Sequence, residues 1–281
     1  MYPNGLEYIV NGSYLNNLHA KITYLSKNVD NNYSSRDNNN PIIFEKPYFG
    51  NSTKSSQSLQ YQNQKYLINY IASHSFAPEI FLDPSRPKAR FVDDSNEVKR
   101  ISEETFELMA QSKIKDFWCT ENSRNFLVNE KLPENISINV LQFEEFKSLH
   151  LAFGPWNNGI LGFSINGNHK QVFVRENHLD ALMLVIGHEI GHVLTDTLSN
   201  KHDEEAKAFA FSLEWAKTIK KHNVANLGMN IKEEIDFQPA RNGLHDVAFA
   251  FVDFMVKKGR KAMELHGDLI KRYISVFDRV Y

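Results

Sequence analysis

His188 and His192 stand four residues apart in the apolar run HLDALMLVIGHEIGHVLTDTL, residues 178 to 198. On an α-helix that spacing puts both on one face, one turn apart. Two imidazole nitrogens can then aim at one point about 2 Å from each, the distance at which nitrogen binds Zn²⁺. Glu189 lies about 100° round the helix from His188, off the coordinating face but beside a water on the metal. The chemistry such a trio offers is hydrolysis. A metal acidifies a water and polarises a carbonyl, and a carboxylate takes the proton.

The helix that must carry these residues is apolar on nearly every side, through Leu182, Met183, Leu184, Val185, Ile186, Ile190, Val193 and Leu194. It reads as a central, buried helix. Two histidines and a glutamate in such a core need a strong partner, and a metal ion supplies one.

Zinc takes at least one more protein ligand. A continuation to H-x-x-G-x-x-H is absent, because the relevant positions hold Thr195 and Leu198. The other common solution is a glutamate on the next helix. HDEEAKAFAFSLEWAKTIKKHN, from His202, is strongly helical, with His202 or Asp203 as its cap. Glu204 shares its side with Lys207, Glu214 and Lys217, which reads as a solvated face. Glu205 shares its side with Ala208, Phe209, Ser212 and Ala216, the face expected to pack inward. Glu205 is therefore the expected third ligand, with His202 and Glu204 as alternatives.

The elements that position this pair of helices follow from pattern. ISINVLQFEEF alternates in part, and ILGFSI and QVFVRE flank an Asn166-Gly167 turn signal. Strands are expected near 137–143, 160–165 and 171–176, with GPWNNG (154–159) a loop. Residues 171–176 are the suggested edge for pairing with an extended peptide. Further upstream, 65–76 has helical spacing, three prolines (Pro78, Pro84, Pro87) mark an extended connection, and 93–118 reads as one or two helices, Ser102 capping the second. His74 reads as an ordinary surface or core histidine. Downstream, Asn242 or Gly243 precedes a helix of about 15 residues, and a last amphipathic helix lies near 262–278. Oxyanion stabilisation needs one further donor, for which His245 is the first choice and His266 and Tyr273 are alternatives. Cys119, the single cysteine, is a further candidate as an inhibitory thiolate on the metal.

Composition limits the rest. The chain has 281 residues, 42% of them hydrophobic, and a net charge of −2, which gives no electrostatic case for nucleic acid. No stretch approaches the roughly 20 apolar residues of a membrane span. A single cysteine and the lack of a basic start followed by an apolar segment point to the cytoplasm, with leaderless export the alternative. Residues 28–64 are rich in Asn, Ser and Gln and read as flexible. The expected division is an N-terminal region, 1–115, that selects substrates or partners, and a catalytic region, 116–281.

HEIGH followed by EEAKAFA resembles the gluzincin peptidases, and among them the ImmA/IrrE-like pattern of H-E-x-x-H before E-x-A-x-x-F-A. The resemblance covers roughly residues 170 to 217. It implies that Glu205 is the third zinc ligand and that the substrate is a peptide or protein. The link from His192 to Glu205 is short for a gluzincin, and no helix-turn-helix companion is recognisable. The expectation is thus an α+β, zincin-like fold: a small sheet before the H-E-x-x-H helix, a helical C-terminal part and a partly helical N-terminal region. The expected activity is zinc-dependent peptide hydrolysis by a zinc-bound water that Glu189 activates. The alternative is a non-catalytic binding or regulatory protein on the same fold. A structural zinc site is a third reading and predicts a fourth protein ligand.

Overall fold

A four-stranded mixed sheet lies against a set of helices built around the H-E-x-x-H segment. The computed structural model describes residues 69–71, 76–115, 131–167, 169–235 and 243–278. All of them belong to one compact unit, Asn69–Tyr281. The 28–64 stretch, His74 and Cys119 lie outside the described residues. The architecture is α+β.

In chain order the elements are β1 (Asn69–Ile71), β2 (Phe91–Val92), α1 (Ser95–Lys115), β3 (Ile136–Leu141), α2 (Phe143–Leu151), β4 (Gly162–Asn166), β5 (Lys170–Arg175), β6 (Asn177–His178), α3 (Leu179–Val193), α4 (Lys201–His222), α5 (Leu244–Lys257) and α6 (Ala262–Ile270). The sheet order is β1-β4-β5-β3, with β3 parallel to β5 and the other pairs antiparallel. β3 shows the alternation its sequence implies, Ile136, Ile138 and Val140 being buried and the residues between them half-buried. The Asn166-Gly167 signal does fall between two antiparallel strands, β4 and β5.

Several expectations change. The strand suggested as a free edge is interior: β5 pairs with β3 on one side and β4 on the other. Its apolar centre, Val172-Phe173-Val174, is buried, as suits a strand with neighbours on both sides. Residues 69–71, placed in a helical pattern by their spacing, pair instead with Asn166, Ile165 and Ser164. A three-residue match to a helical period is easily overridden by pairing with a strand. α1 is one helix, and Ser102 is buried within it, its hydroxyl donating to Val98 O rather than capping. The final helix stops at Ile270.

α4 carries the largest correction. It packs against α1, α3, α5 and α6, so it has almost no solvated face over its first four turns. Glu204 is 3% exposed and Lys207 is wholly buried. They are tolerated because they pair with each other, Lys207 Nζ lying 2.9 Å from Glu204 Oε1. α4 is capped by Asn200, whose side chain accepts from the N–H groups of His202 and Asp203. His202 packs edge-on against Phe277.

The close seat of α3 on α4 depends on Gly191. A Cβ there would lie 2.9 Å from Ala208 Cα and 3.0 Å from Ala208 O, closer than real packing permits. α6 docks on α4 through His266, whose ring bonds Lys207 O at 2.9 Å. Burial depresses the His266 pKa to about 4, from an ordinary 6.5. The unfolded chain therefore takes up a proton that the folded chain refuses between those two values. The contribution of His266 to stability should be complete above about pH 6.5 and fall by up to about 3 kcal/mol as pH drops to 4, with His188 adding to the slope in metal-free protein. Urea unfolding of metal-free protein at pH 7 and 4.5 should show His266→Gln losing much of that slope. An unchanged slope would assign the acid sensitivity to other groups.

Candidate metal centre

α3 brings His188 and His192 onto one face, as their spacing requires. Both are wholly buried, as is Glu189, while Glu205 is 2% and His245 1% exposed. The Nε2 atoms of His188 and His192 are 3.2 Å apart. Glu205 Oε2, from α4, lies 3.4 Å from His188 Nε2 and 3.7 Å from His192 Nε2. Three ligands on a tetrahedral ion at about 2.0–2.1 Å stand about 3.3–3.4 Å from one another. The observed triangle has nearly that size.

Hydrogen bonds on the far side of each ring set the tautomers. His192 Nδ1 is 2.9 Å from Glu204 Oε1; an ionised carboxylate only accepts, so His192 carries its proton on Nδ1. His188 Nδ1 is 3.3 Å from Ser212 Oγ. The single Ser212 hydroxyl hydrogen is used at 2.8 Å on Ala208 O, so Ser212 accepts from His188. When both rings are neutral, their Nε2 lone pairs therefore point to the same place. In the metal-free chain a proton on His192 Nε2, favoured by the Glu205 and Glu204 carboxylates, bridges the 3.2 Å to His188 Nε2, and a dication would take that proton's place.

His245, at the start of α5, reaches the same place. Its Nε2 is 2.9 Å from Glu205 Oε2, and ligand atoms of His188, Glu205 and His245 lie within 4.8 Å of one another. These three form a buried group able to hold a metal ion. Glu205 Oε2 makes no aligned hydrogen bond despite three nearby imidazole nitrogens. An acceptor so placed suits a cation more than an N–H donor. The site thus gathers His188, His192, Glu205 and His245. Glu189, from the same turn of α3, abuts β4: a Cβ on Gly162 would lie 3.2 Å from its Oε1.

The electrostatics follow from burial and mutual contact. Desolvation pushes His188 down to about 4, so it is neutral and able to ligate near pH 7. Burial also opposes a charge on His192, but Glu205 and then Glu204 outweigh it and raise its pKa. For Glu205, burial favours the acid form, yet His245, His192 and His188 hold its pKa well below the usual range. A carboxylate that stays ionised in a dry site is what a dication wants.

The sheet and α4 brace the frame. Asn166 Nδ2 donates to Thr195 O at 2.6 Å, Lys170 Nζ to Leu194 O at 3.3 Å, and Lys207 Nζ to His192 O and Asp196 O, both at 3.2 Å. Cationic and amide donors thus fill the carbonyls at the end of α3, where its dipole is negative. Phe76 stacks on the His188 ring, centroids 4.5 Å apart, with Phe209 4.9 Å away on the same ring.

The sequence points to Glu204 only as an alternative ligand, not as the partner of His192 Nδ1, and gives no role to Lys207 or Ser212. The signal for two of them was available, since a ligating histidine needs a partner for its other nitrogen. Glu204 beside Glu205, and Ser212 on the expected inward face, are the residues within reach. Of the alternatives, His202 packs on Phe277, His266 is engaged with Lys207 O, and Tyr273 is 73% exposed; none joins the cluster. No described helix is long and apolar enough to cross a membrane. No family model, curated protein or solved structure matches the chain, so a functional reading has to stand on the geometry of the site.

Proposed function

We propose that the chain is a zinc-dependent peptidase of gluzincin type, with a zincin-like arrangement of sheet and paired helices. In this reading His188, His192 and Glu205 hold the ion and Glu189 is the base. The observation that carries it is the buried triangle of His188 Nε2, His192 Nε2 and Glu205 Oε2, with sides of 3.2, 3.4 and 3.7 Å, close to that of three ligands on one tetrahedral ion. The resemblance of HEIGH and EEAKAFA to the ImmA/IrrE-like pattern supports the same assignment. Bound there, a divalent ion supplies Lewis acidity toward a carbonyl and lowers the pKa of water. Glu189, next along α3, takes the proton from the attacking water and returns it to the leaving amine. In this reading His245, 2.9 Å from Glu205 Oε2, is the donor to the developing oxyanion. Glu204 and Ser212 hold the two histidine rings in their ligating tautomers.

A second reading is favoured by the position of His245, 2.9 Å from Glu205 Oε2. If His245 is itself a ligand, the site has four protein ligands and is closed, as structural sites are. Elemental analysis separates the two. Wild type is expected to carry about one zinc per chain, by the stoichiometry of a mononuclear site, and Glu205→Ala to lose it. His245→Ala should keep its zinc and lose turnover if the site is open, but lose zinc if it is closed. No zinc in reconstituted wild type would end both readings.

A further inference from the structure

An extended peptide can add to a strand edge through backbone hydrogen bonds, and β4 is a strand packed on α3. β4 runs alongside α3. At its start, Gly162 sits against Glu189; at its end, Asn166 bonds the carbonyls of His192 and Thr195. One side of β4 is paired with β5. The other is occupied by the chain itself: Asn69, Tyr70 and Ile71 pair antiparallel with Asn166, Ile165 and Ser164. A few residues on, Phe76 is 2% exposed and lies flat on His188, interplanar angle 15°, with Phe209 and Phe81 beside it. Every residue of the centre is buried to 2% exposure or less. A hydrolytic site must admit its substrate, so some part of this cover has to leave. The three-residue strand β1 sits at the sheet's edge and is held there by three register pairs.

We infer that β1 and Phe76 are an internal occupant of the substrate track, holding the centre latent, and that the substrate displacing them is an extended peptide, antiparallel to β4, with an aromatic or bulky apolar side chain in place of Phe76. The inference rests on the peptidase reading for its substrate, though not for the displacement. The occupied state reduces apparent ligand affinity by the fraction of chains left open. A three-pair strand can be exchanged for a longer peptide strand that gains more hydrogen bonds. Phe76 reports the chemistry of the subsite, an aromatic slot bounded by His188, Phe209 and Phe81.

The test locks and loosens the occupant in the full chain. Tyr70→Cys with Ile165→Cys, residues opposite each other in the register, places two thiols across β1 and β4; Cys119→Ser removes the third. One readout needs no metal: the rate at which diethylpyrocarbonate modifies His188 and His192 in metal-free protein, read by mass spectrometry. The other is the affinity of cobalt-loaded protein for N-acetylphenylalanine hydroxamate. Oxidising the cysteine pair should slow modification and weaken hydroxamate binding by about tenfold or more, and reductant should restore both. Phe76→Ala should move both the other way. Equal rates and affinities in oxidised and reduced protein would overturn the inference, and so would a Phe76→Ala variant that folds but labels at the wild-type rate. Should Phe76→Ala fail to fold, the cysteine pair alone decides. If locking controls access but no peptide in a degenerate library is cleaved by the reduced or Phe76→Ala protein, the latent site stands and the peptidase reading falls.

Discussion

Glu189→Gln is expected to keep its zinc and lose about 10²- to 10⁴-fold in peptide hydrolysis, the usual contribution of a positioned general base. Glutamine preserves shape, so the packing against Gly162 and β4 survives, and the ligand triangle does not include position 189. The loss should fall on kcat rather than KM, since the proton moves only on the way to the transition state. The comparison is best made in both wild type and Phe76→Ala, so that a latent centre does not hide the effect. Zinc content by elemental analysis and turnover on a peptide library give the two readings. Unchanged turnover would remove Glu189 as the base. Lost zinc would mean that position 189 supports the ligands instead. A non-catalytic binding protein predicts something different again: partner binding indifferent to Glu189→Gln, and no hydrolysis in either chain.

How much of this was legible in the sequence depends on the range of the interaction. The pairing of His188 with His192 follows from the pitch of one helix, whereas burial does not separate Glu205 from Glu204, both being buried. What separates them is that Glu205 Oε2 meets the Nε2 atoms and Glu204 Oε1 meets His192 Nδ1. His245 could be suspected because it opens a helix after a glycine, at a chain distance compatible with folding back. The error over Glu204 and Lys207 has an equally simple cause. Amphipathicity assumes a helix with one wet face, whereas α4 is enclosed by four others. Charges on an enclosed helix survive only as neutralised pairs, and an i,i+3 Glu–Lys pair is the local signature of one. The strand error has a related origin. The place of β5 shortly before α3 suggests an edge, but order in the sheet is set by pairings distant in sequence, with β3 and β4. β1 was invisible for the same reason, since three residues carry too little periodicity to compete with a helical pattern.

The expected effects of changing Glu204 separate folding from metal binding. Its two oxygens are fully used: Oε1 meets His192 Nδ1 and Lys207 Nζ, both at 2.9 Å, and Oε2 accepts from Leu198 N at 2.7 Å. Burial alone would raise its pKa, but His192 and Lys207 overcome that and hold it ionised. Burial lowers the Lys207 pKa in turn, and without Glu204 it keeps hydrogen bonds to two carbonyls and only the weaker attraction of Asp196 and Glu205. Glu204→Ala therefore leaves a buried ammonium without its counter-charge and should cost about 3–5 kcal/mol of stability. It also frees His192 to adopt the wrong tautomer, which should weaken zinc binding about 10- to 100-fold. Glu204→Gln with Lys207→Met removes both charges and should recover most of the stability, because replacing a whole buried pair is often nearly neutral. It should not recover the zinc affinity, since an amide holds the His192 tautomer less firmly than a carboxylate. Urea unfolding of the metal-free proteins and zinc competition titrations measure the two quantities independently. Joint recovery in the double variant would mean that Glu204 serves only to neutralise Lys207. Stability regained with affinity still low would establish that the buried pair also orients the ligand.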